Sequence, residues 1–216
     1  MIDTFKHKGQ RKRLIAQLAQ RGITDEAVLE DMGVIPRHGF VESAFRDEAY
    51  EDKALPIHND QTISQPFTVA FQTELLKLKP KMKVLEIGTG AGYQAAILAQ
   101  MGMKVFSVER DRRLHLEAKS RLEDLELKVE LFHGDGSKGW PEKMAFDRII
   151  VTAASPGIPL PLKEQLKKNG RLVIPVGTLD KQKMTLVTRI NKNEWREERL
   201  QAFRFVPLLG QYGFKE

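Results

Sequence analysis

Val84-Leu85-Glu86-Ile87-Gly88-Thr89-Gly90-Ala91-Gly92-Tyr93-Gln94-Ala95-Ala96-Ile97-Leu98-Ala99 runs from a short apolar stretch, through three alternating glycines, into residues with helical apolar spacing. Strand, tight loop and helix in that order make the first half of a βαβ unit. The glycines permit a tight turn and let backbone N–H groups approach a ligand with no Cβ in the way. The helix start behind them favours negative groups, a carboxylate included. A second apolar run, Val105–Val108, ends at Glu109, about twenty residues on, where an acid accepts hydrogen bonds from both hydroxyls of a ribose. Residues 84–109 therefore read as a nucleoside-binding unit. Its candidate contacts are Glu86, Gly88, Thr89, Gly90, Gly92 and Glu109, with Arg110 beside them.

Outward from this unit the alternation continues. Apolar runs at Val129–Phe132, Arg148–Thr152 and Leu172–Val176 interleave with helical stretches at 91–101, 111–124 and 159–168. Such alternation predicts right-handed crossovers and a mainly parallel sheet covered on both faces, a three-layer Rossmann-like α/β fold. Gly102 and Gly170 stand where helix C-caps belong. His133-Gly134-Asp135-Gly136 follows the third strand on the edge that carries the glycine loop. Asp135 and Gly136 thus join the candidate set, the carboxylate for an adenine amino group; a plain Asx turn is the bland alternative.

Upstream, Leu14, Ile15 and Leu18 mark a helix closed by Gly22. Thr24 is the expected N-cap of a second helix, with Val28, Leu29 and Met32 inside and Gly33 and Pro36 at its end. Residues 41–63 read as loop. Ser64, as N-cap, and Pro66 open a helix that runs to residue 78 and stops at Pro80. Downstream, 184–190 and 198–209 carry β-type residues with no helix between them, so an antiparallel hairpin is added at the sheet edge. The expected organisation is an N-terminal helical cover over 1–80, a cofactor-binding α/β core over 81–177, and a hairpin over 178–216 that completes the same domain.

At 216 residues the chain can bury one substantial core. It has no Cys, which excludes a disulfide framework, a thiolate nucleophile and Cys-ligated metal; no metal site is expected. No apolar run approaches the ~18 residues of a membrane span. The N-terminal MIDTFKHKGQRKRLIAQLAQRG is basic and then amphipathic, with no apolar signal core, so a soluble cytoplasmic monomer is expected. The net charge of +6 concentrates anionic ligands. The basic residues are spread along the chain, and the cluster Lys6, Lys8, Arg11, Lys12 and Arg13 reads as the coat of an exposed helix.

Which nucleoside? From Gly90, G-A-G-Y-Q-A satisfies the degenerate dinucleotide form G-x-G-x-x-A. From Gly88 the pattern is E-x-G-x-G-x-G, associated with methyltransferases. A negative Glu86 would repel a pyrophosphate but could hold an amino acid's ammonium group, and the chain is short for a dehydrogenase's second domain. S-adenosylmethionine is the expected cofactor.

Several stretches then resemble one family throughout. ITDEAVLEDMGVIPRHGFV and AYEDKALPIHNDQTISQPFTVA look like the N-terminal and substrate-loop segments of the protein-L-isoaspartate (D-aspartate) O-methyltransferases. GDGSKGWPEKMAFDRIIVTAA, IPLPLKEQLKKNGRLVIPVG and FRFVPLLG are similar to later segments in the same order, so the resemblance spans roughly residues 20–210. It implies methyl transfer to the α-carboxylate of isoaspartyl residues in damaged proteins, and repair through a succinimide. It places Ser64 as the active-site residue within Gln61-Thr62-Ile63-Ser64. It adds Gln61 to the cofactor set, and Ile63, Val206, Pro207 and Leu208 to the substrate set. The family's loop carries glycines where this chain has His58 and Asp60.

The implied chemistry needs no strong base, because a carboxylate is already ionised at pH 7. The task is desolvation and in-line placement. Ser64 at a helix N-terminus, with Thr62 beside it, would donate to the substrate carboxylate; His58 reads as a solvated loop residue. Two rivals remain. A nucleic-acid methyltransferase would need a stacking pocket for a flipped base, yet Thr152-Ala153-Ala154-Ser155 follows the fourth strand. A non-catalytic cofactor-binding protein is made thinkable by the lost loop glycines.

Overall fold

In the central strand the pleat sends Val84 and Glu86 to one face, Leu85 and Ile87 to the other. The computed structural model describes residues 2–215, so the first residue of the 1–80 piece and the last of the 178–216 piece lie outside it. Nine strands are described: β1 (Leu55–Pro56), β2 (Thr62–Ile63), β3 (Lys83–Ile87), β4 (Lys104–Glu109), β5 (Val129–His133), β6 (Phe146–Val151), β7 (Leu166–Gly177), β8 (Gln182–Asn191) and β9 (Glu194–Phe203). Six α-helices accompany them: α1 (Phe5–Gln20), α2 (Glu26–Val34), α3 (Pro66–Leu76), α4 (Tyr93–Gln100), α5 (Arg112–Asp124) and α6 (Leu160–Glu164).

Seven strands form one sheet in the order β5-β4-β3-β6-β7-β8-β9. Pairings from β5 through β7 are parallel; β7–β8 and β8–β9 are antiparallel, which is the expected terminal hairpin. The order reverses between β3 and β6, the kind of switch point where ligands bind in open α/β sheets.

The two faces are unequally covered. Val84, Val105, Ile150 and Val173 share one apolar cluster with residues of α1 to α5, so the N-terminal helices and the sheet bury a common core. Leu85, Ile87, Phe106 and Ile149 turn the other way, onto Trp140, Phe146 and Leu162. That second layer is thin. α6 has five residues, where the sequence predicts a helical stretch over 159–168. Leu166 instead starts β7, pairs with Phe146, and is fully buried. Gly170 is consequently no C-cap: it lies inside β7, and Asn169 takes the left-handed conformation at φ 60°. Gly22 and Gly102 do adopt positive φ just past their helices.

Two N-caps differ from expectation by one residue. Asp25, not Thr24, caps α2 through the Val28 amide; Thr24 donates its hydroxyl to Glu74 at 2.9 Å. Gln65, not Ser64, precedes α3, and it makes no side-chain cap bond. Strand β9 stops at Phe203, and 207 touches Ala154 only as an isolated bridge, so 204–209 leaves the hairpin and crosses the sheet edge. Among the described residues no helix is long and apolar enough to cross a membrane.

Candidate active site

Register brings the chemistry to one edge. Ile87 of β3 pairs with Val108 of β4 and with Val151 of β6. The residues that follow, Gly88, Glu109 and Thr152, therefore emerge side by side at the carboxyl ends of three neighbouring strands. They border a cleft of about 350 Å³. Gln61, Thr62, Ile63 and Ser64 line it from the β1–β2 side, Gly88, Thr89 and Gly90 from the loop after β3, and Arg110 and Gly136 from the next two strand ends. Val206, Pro207 and Leu208 close it.

The glycine loop is shaped for close approach. Gly88 has φ 92°, and a Cβ there would stand 2.6 Å from Thr152 Oγ1; at Gly136 a Cβ would meet Ile87 Cγ2 at 2.6 Å. Glu109 accepts hydrogen bonds from the amides of Gly90 at 2.7 Å and Asp111 at 2.8 Å. Burial nevertheless raises its carboxyl above the ordinary carboxylate range, against the effect of these amides. A carboxylate held at a strand end, beside backbone left bare by glycines, fits a ribose and the groups attached to it. The residues present thus fit a nucleoside carrying an amino acid.

Three expected contacts are not among the residues that line the cleft. Glu86 is fully buried and does not line the cleft; the pleat turns it beneath the loop, where Ser107 donates to it and Thr89 Oγ1 lies 2.6 Å from Ser107 Oγ. Burial pushes its carboxyl up to about 8, the neighbouring Glu109 adding to the rise. Burial thus favours its protonated form, and its side chain stands beneath the loop, outside the cleft. Gly92 caps α4 at φ 92°, and a Cβ there would meet Ala118 at 3.3 Å, so its role is helix packing. Asp135 makes an Asx turn: it accepts from the Ser137 amide at 2.9 Å and its hydroxyl at 2.6 Å, and its other oxygen takes the Gln211 amide at 2.9 Å. It pins the C-terminal tail across the cleft's end.

The loop that replaces the family's glycines is an ordered hairpin turn. Asn59 and Asp60 both take positive φ, 58° and 53°, as a type I′ turn requires, and the Gln61 amide closes it on the His58 carbonyl at 3.3 Å. His58 does not line the cleft and accepts from Arg113 at 2.9 Å. Because the turn already holds its left-handed residues, Asp60→Gly is expected to change stability by no more than about 1 kcal/mol, measured by urea unfolding.

One buried charge carries no signal of its own in the sequence. Arg37 is fully buried, donating to the Ala49 and Ser64 carbonyls at 2.9 Å each, with its guanidinium 4.9 Å from the centre of the Tyr93 ring. Burial lowers it to about 10, so it remains a cation at pH 7. No acid pairs with it among the described residues. A buried positive charge tied to the Ser64 backbone attracts an anion to that part of the cleft. Other cleft residues without a sequence signal of their own are Gln72, Gln94, Asp111 and Thr152.

The family model described as protein-L-isoaspartate(D-aspartate) O-methyltransferase matches residues 9–213. The chain belongs to that family. A protein-L-isoaspartate O-methyltransferase of Christiangramia forsetii is 54% identical over 97% of this chain and 98% of its own length. One from Dictyoglomus turgidum is 51% identical over 100% of this chain and 98% of its own. A solved protein-L-isoaspartate O-methyltransferase superposes with a TM-score of 0.85 at 31% identity, over 94% of this chain and 67% of the other. A Plasmodium falciparum structure described as such an enzyme in complex with S-adenosyl-L-homocysteine gives 0.80 at 25% identity, over 94% and 98%. The family's activity, S-adenosylmethionine-dependent O-methylation of L-isoaspartyl residues in proteins, is the activity of this chain.

Proposed function

We propose that the cleft holds S-adenosylmethionine on the β3–α4 loop and Glu109, and receives the isoaspartyl α-carboxylate at Thr62 and Ser64. The observation that carries this division is that both hydroxyls share the cleft with the glycine loop and have no hydrogen-bond partner among the described residues. The bound cofactor supplies an electrophilic methyl group on a sulfonium. The chain's own residues do the rest. Ser64 and Thr62 donate to the carboxylate and orient one oxygen, while the buried Arg37 cation behind Ser64 favours its negative charge. Ile63, Val206, Pro207 and Leu208 exclude water, leaving the nucleophile poorly solvated and in place. No base is needed. In the methyl ester that results, the amide nitrogen of the following residue attacks the ester carbonyl. A C–N bond forms, methanol leaves with the amide proton, and the succinimide then hydrolyses.

Tritiated methyl transfer to an isoaspartyl peptide, the matched aspartyl peptide and bulk RNA tests the reading. Only the first should be labelled; labelling of RNA would favour the nucleic-acid alternative, and labelling of none a binding protein. Ser64 is not the cap of α3, so Ser64→Ala removes no helix-stabilising bond. It is expected to lower kcat/KM for the isoaspartyl peptide by about 10- to 100-fold, the worth of one hydrogen bond to a charged group, with thermal stability unchanged. Undiminished methylation would remove Ser64 from the reaction.

A further inference from the structure

Two glutamines on the cleft wall have their amides oriented by partners that can act in one way only. Gln72 of α3 places Nε2 2.9 Å from the Val151 carbonyl, which can only accept. Its Oε1 therefore faces away, and no donor reaches it among the described residues. Gln94, in the first turn of α4, contacts Thr73 Oγ1 at 3.0 Å. The single Thr73 hydroxyl proton goes to the Val69 carbonyl at 2.7 Å, so Thr73 can only accept from Gln94, and the contact must be Nε2. Gln94 Oε1 is left buried without a partner among the described residues. Both side chains are more than nine-tenths buried, at 1% and 6% exposure, and a buried acceptor left unpaired costs about 1–3 kcal/mol.

Their place in the fold says which part of a ligand they meet. Glu109 closes the cleft over β4, on one side of β3. Gln72 is tied to the end of β6, on the other side, and Gln94 stands directly behind the glycine loop between them. A nucleoside whose ribose sits on Glu109 sends its amino-acid end across β3 towards the glutamines. A carboxamide oxygen accepts and never donates, so it suits an ammonium group, which only donates. Glu86, the residue that the sequence offered for that task, is fully buried beneath the loop and lies outside the cleft.

We propose that Gln72 and Gln94 are the acceptors for the ammonium group of the cofactor's methionine part. This rests on the reading of the cleft as the S-adenosylmethionine site. Calorimetric titration of the wild-type protein, Gln72→Met and Gln94→Met tests it with three ligands: S-adenosylhomocysteine, its deaminated analogue, and 5′-methylthioadenosine, which lacks the amino-acid end. The wild type is expected to bind the deaminated analogue about tenfold more weakly than S-adenosylhomocysteine. Each variant should lose about tenfold for S-adenosylhomocysteine, yet bind the other two ligands within about twofold of wild type. Equal affinity of the wild type for S-adenosylhomocysteine and its deaminated form overturns the proposal, whatever the variants do. A uniform loss for all three ligands in the variants also overturns it, since that marks a merely structural role. Failure of the wild type to bind any of the three would instead remove the cleft reading itself.

Discussion

Glu109→Ala is expected to weaken S-adenosylhomocysteine binding by about a hundredfold to ten-thousandfold, as read by calorimetric titration. A carboxylate accepting from two ribose hydroxyls makes two charge-assisted bonds, each worth about 1.5–3 kcal/mol, and about 1.4 kcal/mol is a factor of ten. The substitution also frees the Gly90 and Asp111 amides, which Glu109 holds at 2.7 and 2.8 Å, so the glycine loop loses the strut that shapes it. The same residue sets a pH dependence. Burial raises the Glu109 carboxyl, and the bound ribose needs the ionised form as acceptor. Affinity should therefore fall as pH drops through that raised value, earlier than for a solvent-exposed glutamate, and the alanine variant should lack this acid limb. An alanine variant that binds within about threefold of wild type would move the ribose elsewhere.

The place of Glu109 at the cleft was legible in the sequence because it depends on local order alone. An acid at a strand's end, one βαβ turn after a glycine loop, reaches the same edge whatever the rest of the chain does. Ser64 and Thr62 were reachable only through the family resemblance, since a Ser before a Pro-initiated helix reads equally well as a cap. Gln72, Gln94 and Arg37 could not be read at all. Their significance lies in partners 79, 21 and 27 residues away, at Val151, Thr73 and Ser64. A glutamine in an apolar helix carries no sign of which way its amide turns. The helical stretch expected over 159–168 ended early for a related reason: burial of Leu166 against Phe146 as the start of β7 outweighs local helical preference.

The burial of Glu86 away from the cleft was itself signalled in the sequence. Alternation within β3 puts Glu86 on the face of Val84, opposite Leu85 and Ile87, and that face lies under the helices. Its nearness in sequence to Gly88 suggested ligand contact; the strand's pleat turns it into the core.

The consequence is a large effect on stability. The folded state holds the Glu86 carboxyl near 8, against 4.5 for an unperturbed glutamate. Below pH 4.5 both folded and unfolded chains carry the proton, and nothing is lost. Between the two values the unfolded chain ionises while the folded one does not, so stability declines as pH rises, at up to about 1.4 kcal/mol per pH unit. Integrated over the interval this is at most roughly 5 kcal/mol. Glu86→Gln removes the titration and keeps an oxygen to accept from Ser107. Its carboxamide leaves N–H groups without a partner among the described residues, as Glu86 Oε1 is now, but that penalty does not vary with pH. Urea unfolding between pH 5 and 8 should show wild-type stability falling relative to the variant by several kcal/mol, with the difference closing towards the acid end. Parallel curves for the two proteins would mean that Glu86 titrates alike in both states. S-adenosylhomocysteine affinity at pH 7 separates the roles once more. A neutral Glu86 outside the cleft predicts little change, within about threefold, on conversion to Gln. An ionised partner of the ammonium group predicts a loss as large as that expected for Gln94→Met.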